Sequence, residues 1–499
     1  MEQNLVNMKY PGLAILTIWT LVSCSSDNPT PTEPFVSDGA ANAGPVISIE
    51  AVRYVIAGDD VTITATATDP DGTVTSRIWS QIEGESVALT DDGTGLGTFA
   101  APAVTTISNL DFAFSATDDD GLEGGRVITV TVLPQDLLQA RMGVLTGADV
   151  AAVRTTNPGE VIESTTTSKA SDVTTGGTFS LRLNDIDDEE WVLVSVSGGT
   201  DIDVDNDGVV DAAPTDNNGT LRALARAADW RSPGLTVTPL SEISVQHLLS
   251  VSGGIETISP QSMEMRLSTI VWELLSADVS EDDTFDYLDI TSYQPEDSGI
   301  LNSETLSVAD LESIAADLRS ADAASAGAAI SALLAFDSFA IVETNLGTFK
   351  VELFPNVVPD TAGNFMTLSR RGYYDDLIFH RIVEGFVMQG GDPFANGTGG
   401  ASMVDDPFGD EFDASLSNVQ YSLAMANSGP NTNKSQFFVN LADNTNLDFD
   451  KSPLTSAHSV FGQVVEGQSV IDEIGLVEVG ANNLPVSSVR MQSVTITRK

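Results

Sequence analysis

The stretch Phe379 to Pro393, FHRIVEGFVMQGGDP, constrains the fold of this chain more tightly than any other of its length. Polar and apolar positions alternate along it, which suits two short strands separated at Gly385, with a tight bend at Gly390-Gly391. On such a pair Arg381 and Gln389 project beside an apolar floor built partly from Phe386. That is a shallow binding face with one fixed cation and one amide. A second stretch, MANSGPNTNKSQFFVN from Met425 to Asn440, reads as a long polar loop that re-enters a strand at Phe437-Phe438. Asn446-Leu447-Asp448 comes next, and then His458 ahead of the strand Val460-Phe461-Gly462.

In this order and at this spacing the four blocks resemble the cyclophilin-type peptidyl-prolyl cis-trans isomerases, over Phe339 to Lys499. The resemblance implies a closed eight-stranded antiparallel barrel with two helices, and an enzyme that needs no cofactor for catalysis. It assigns Arg381, Phe386 and Gln389 as catalytic, with Arg381 bonding the substrate and stabilising the twisted amide. It assigns substrate binding to Val387, Ala426, Asn427, Phe438, Leu447 and His458. Phe386, Val387, Phe438 and Leu447 then form the proline pocket. Gln389 and Asn427 hold the peptide backbone, Ala426 lines the groove and His458 closes its edge. Two positions depart from the family pattern. Val387 stands where methionine is common, and Asn446 where animal members carry the tryptophan that contacts cyclosporin, so the drug should act weakly.

A chain of 499 residues is too long for one core and predicts three or four domains. Its 72 acidic against 22 basic residues give a formal charge of −50. Such a surface repels phosphate backbones, which argues against a nucleic-acid partner, and keeps the protein hydrated. Cys24 is the single cysteine, so no internal disulfide can form. It follows an apolar run, Leu13 to Val22, that is too short to span a bilayer, with Lys9 as a positive flank. Leu21-Val22-Ser23-Cys24 resembles the lipobox of bacterial lipoproteins. That resemblance implies a signal peptide over 1–23, lipidation of Cys24 and a membrane partner reached through the lipid. The expected location is the bacterial envelope, at the outer membrane.

Residues 24–45 are rich in Ser, Pro, Thr, Asn and Gly and read as a flexible tether. Residues 46–134 read as an immunoglobulin-like β-sandwich. Val61 to Ala67 alternates strictly before the turn Asp69-Pro70-Asp71-Gly72, Trp79 supplies a core aromatic, and Phe112 to Ala116 runs into the turn Asp118 to Gly121. These blocks resemble the polycystic-kidney-disease-type repeats of bacterial surface proteins, which implies a spacer. Residues 135–335 form a middle region, first β-like and then helical over Leu240–Leu249, Met263–Leu275 and Ser307–Leu334. Within it Asp203, Asp205 and Asp207 alternate before Gly208, with Asp211 beyond, as in the start of a calcium loop. The twelfth loop position is Pro214 instead of a bidentate glutamate. A structural Ca²⁺ and a chance cluster in an acidic chain therefore both stay open. Residues 336–499 are the isomerase-like domain, with Asp360 expected to cap its first helix.

The leading expectation is a multidomain, mainly β lipoprotein that isomerises X-Pro bonds in exported polypeptides. The competing one is a proline-peptide binding module without catalysis, carried on a surface spacer.

Overall fold

The structure, a computed structural model, describes residues 42–50, 52, 54–251, 253–277, 280, 285–404, 407–453 and 456–499. The expected signal peptide, Cys24 and most of the expected tether lie outside the described residues. Among the described residues no helix is long and apolar enough to cross a membrane.

The first unit is built from two four-stranded sheets. One runs in the order 46–50, 60–68, 96–100, 90–91, and the other 54–56, 123–133, 108–118, 74–83. Strict alternation makes this possible: Val61, Ile63, Ala65 and Ala67 turn inward while the residues between them face out. Phe99 from one sheet meets Phe112 from the other with ring centroids 4.7 Å apart, and Trp79 packs on Phe114 at 5.0 Å. The Trp79 indole N–H donates to the Gly95 carbonyl, so the one polar atom of that ring is satisfied inside the core.

The middle region has a single core running from Leu133 to Leu334, shared by its strands and its helices. An antiparallel sheet in the order 157–166, 149–154, 191–197, 220–226 carries the helices Pro239–Ser250 and Pro260–Leu274 and the later helical segments. The helical stretch expected over Ser307–Leu334 is a pair of helices, Val308–Arg319 and Ala323–Leu333. Ala321 between them takes a positive φ of 61°, which an α-helix cannot absorb. Ser307 closes a capping box with Asp310.

The C-terminal unit is one eight-stranded antiparallel sheet in the order 381–383, 387–390, 437–440, 422–425, 460–466, 347–353, 338–344, 491–498. The expected closed barrel is a curled sheet with a seam. Strands 381–383 and 491–498 form no ladder, and the gap is held by the single bridge Ile378–Arg490 and by bonds such as Phe379 N to Val489 O. Helices Pro359–Arg370 and Gln468–Gly475 pack on the sheet. Asp360 does not cap the first of these. The N-cap is Val358, and Pro359 opens the helix without a side-chain cap. The Asp360 carboxylate instead accepts from Ser262 and Arg266 of the middle region.

Candidate active site

Gly385, with φ of 67°, turns the chain between strands 381–383 and 387–390. The register then sets Arg381 directly opposite Gln389. The Arg381 guanidinium donates to Gln389 Oε1 at 3.3 Å and lies 5.9 Å from the centre of the Phe386 ring. Among the described residues no carboxylate comes within ion-pair distance of Arg381. Gln389 Nε2 donates to Gln436 Oε1 at 2.9 Å, and Gln436 Nε2 to the Gly399 carbonyl at 2.6 Å. The guanidinium is thus aimed by a relay of two amides.

Beside this relay lies a small apolar cluster separate from the main core of the domain. Val387, Ala424, Phe438 and Val460 are buried in it, and Phe386, Leu416, Ala426 and Leu447 pack half-buried against it. His458 meets Phe438 edge-on at 5.3 Å, and its Nδ1 is 2.8 Å from the Met425 carbonyl. Burial holds the His458 imidazole below its usual pKa, against the opposing pull of that carbonyl and of Asp410. Asn427 Nδ2 donates to the Ala457 carbonyl at 3.0 Å and braces the 426–436 loop. Arg381, Phe386, Val387, Gln389, Ala426, Phe438, Leu447 and His458 are thus brought together, and Asn427 follows Ala426 in the adjoining loop. Gln436, Leu416, Ala424 and Val460 belong with them and were not assigned. Gln436 stands two residues before Phe438, immediately ahead of the strand 437–440, so a period-2 reading extended by one residue could have placed it there. His380, next to Arg381, is buried with neither ring nitrogen bonded, and burial keeps its pKa down.

A model of the family "Cyclophilin type peptidyl-prolyl cis-trans isomerase/CLD" matches residues 339–496. A peptidyl-prolyl cis-trans isomerase-like 1 of Gibberella zeae is 42% identical over 160 residues, which span 32% of this chain and 94% of that protein. The chain belongs to the cyclophilin-type peptidyl-prolyl cis-trans isomerases. The isomerase CYP18-2 of Arabidopsis thaliana is 43% identical to the cyclophilin segment, over 30% of this chain and 89% of its own length. A solved cyclophilin-type isomerase of Cryptosporidium parvum is similar over 32% of this chain and 98% of its own, at 31% identity and a TM-score of 0.30. The protein is accordingly a cyclophilin-type peptidyl-prolyl cis-trans isomerase, and cyclophilins turn over without a cofactor.

The acidic loop of the middle region lies apart from this cyclophilin site. Carboxylate oxygens of Asp203, Asp205 and Asp207 come within 4.8 Å of one another. The expected fourth residue, Asp211, is not in this group, and its carboxylate accepts the Val204 N–H at 2.7 Å. A cavity of about 750 Å³ opens between the sandwich and the middle sheet and is lined by none of the cyclophilin-site residues.

Proposed function

We propose that this isomerase is held by lipid at Cys24 in a bacterial envelope, at the outer membrane, and there speeds the folding of exported proteins by rotating their X-Pro bonds. The lipobox-like Leu21-Val22-Ser23-Cys24 supports the anchor. The sandwich over 46–134, an immunoglobulin-like spacer in this reading, holds the enzyme away from the membrane. Uncatalysed isomerisation takes tens of seconds, slow enough to limit the folding of an exported chain.

The observation that carries the catalytic assignment is the fixed guanidinium beside the Phe438 cluster. Amide resonance opposes rotation with a barrier of about 18–20 kcal/mol. In the twisted state the lone pair localises on the proline nitrogen. Arg381 donates to it without any proton leaving, since a guanidinium stays charged. The apolar hollow of Phe386, Val387, Phe438 and Leu447 takes the pyrrolidine ring and excludes the water that favours the polar planar amide. His458 and Ala426 bound the hollow. The amides of Gln389 and Asn427 each retain a second donor or acceptor position for the peptide backbone. Proline-containing polypeptides are the substrates. Isomerisation of a proline peptide by the chain and its Arg381→Ala variant tests this reading. Equal rates would refute the assignment of Arg381.

A structural Ca²⁺ at Asp203, Asp205 and Asp207 belongs to the same reading. Asp203 is buried and accepts the Asp207 and Gly208 N–H groups, and Gly208 supplies the positive φ of the turn. Asp203→Asn should lower the melting temperature in calcium buffer alone. An equal loss with chelator present would refute the ion.

A further inference from the structure

The helix Pro260–Leu274 of the middle region is laid against Pro359–Arg370 of the isomerase unit. Met263, Leu267, Ile270, Val271 and Leu274 belong to the middle core, whereas Met265 is buried in the isomerase core. The Thr269 side chain packs directly on Gly363, where a Cβ would meet its Oγ1 at 2.6 Å. Midway along the helix, Arg266 Nε donates to Asp360 at 2.6 Å and its Nη2 lies 3.6 Å from Glu411. Ser262 donates to the other Asp360 oxygen, and Gln261 to the Pro407 carbonyl.

Glu411 links this contact to the groove. Its carboxylate accepts the Thr361 N–H at 2.6 Å, and its own N–H donates to Ser459 Oγ at 3.1 Å. Ser459 follows His458, and its carbonyl accepts from Met425. The next residue, Phe412, stacks on Phe449 and lines a small hollow with Leu416, His458 and Val460. On the other side of Glu411, Asp410 accepts from Asn433 and Asn431, within the loop that carries Asn427. One guanidinium from outside the matched segment thus fixes the residue between two parts of the groove wall.

We propose that Arg266 is a positioning residue of the isomerase, holding the groove edge at Phe412 and His458 through Glu411. This rests on the reading that the groove beside Phe438 binds the proline peptide. A loosened edge weakens the ground and transition states alike, so the effect falls on KM and spares kcat.

The test uses the full chain, with kcat and KM measured on a proline peptide. Arg266→Ala should raise KM by about fivefold or more and leave kcat within about twofold. Glu411→Gln keeps Arg266 paired with Asp360, so it preserves the fold, and should raise KM in the same sense. Arg266→Asp combined with Asp360→Arg again sets one guanidinium between two carboxylates and should restore KM. An unchanged KM in the two single variants, or a swapped pair that regains wild-type thermal stability but not KM, overturns the proposal. Arg381→Ala is measured alongside. If that variant loses activity while the Arg266 and Glu411 variants keep the wild-type KM, this inference alone falls. If Arg381→Ala stays fully active, the reading of the groove falls and the inference with it.

Discussion

Arg381 and Gln389 are direct cross-strand partners, 3.3 Å apart from NH1 to Oε1, on either side of the turn at Gly385. The pairing fixes where the cation points before any peptide arrives. Because a planar fork is being aimed, charge alone should not replace it. Arg381→Lys should lose most of the activity and Arg381→Ala about 10²-fold or more in kcat/KM, with the circular dichroism spectrum unchanged. A proline-peptide isomerisation assay reads both.

At the far end of the helix Pro260–Leu274 the charges are reversed. Glu273 is buried between Arg370 and Arg498, which stack over Trp272 and Phe336. Burial pushes each guanidinium down to about 10, and the carboxylate is what makes two buried cations tolerable. Glu273→Leu strands both. It should cost on the order of 3–5 kcal/mol in urea unfolding, whereas Glu352→Ala on a half-buried strand position should cost far less.

Glu411 is pushed up to about 7 by burial and by the neighbouring Asp360 charge. Its folded pKa exceeds the usual 4.5, so the folded chain binds the extra proton between those values. This group's contribution to stability therefore falls as pH rises from 4.5 through 7. Glu411→Gln lacks the charge, so its melting temperature relative to the wild type should rise between pH 5 and pH 8. A difference that stays flat, or falls, would contradict the assignment.

His247 moves the other way. Burial and the Arg266 charge push its imidazole down from 6.5 to about 4. Between those values the unfolded chain binds the proton and the folded chain does not, so stability is lost as pH falls through that window. His247→Gln should weaken the acid-side slope of melting temperature between pH 6.5 and pH 4.

Local chemistry was legible in the sequence. The alternation around Gly385 set Arg381 and Gln389 beside one apolar floor, and Val61–Ala67 announced a two-sided strand. What escaped reading was long-range. Asp360 looks like a helix cap because Pro-Asp-Thr opens a helix, yet its partner Arg266 lies 94 residues away in sequence. Gln436 escaped because its role depends on Gly399, 37 residues back. The seam at Ile378–Arg490 is likewise a matter of how strand ends meet, which alternation does not encode.

Met265 sits in the isomerase core although it lies more than seventy residues before the matched segment begins. Excising residues 336–499 would leave a socket without its plug and two arginines without their acid. The portion of a gene that reads as a portable catalytic cassette is, in this molecule, smaller than the piece that can be cut out whole.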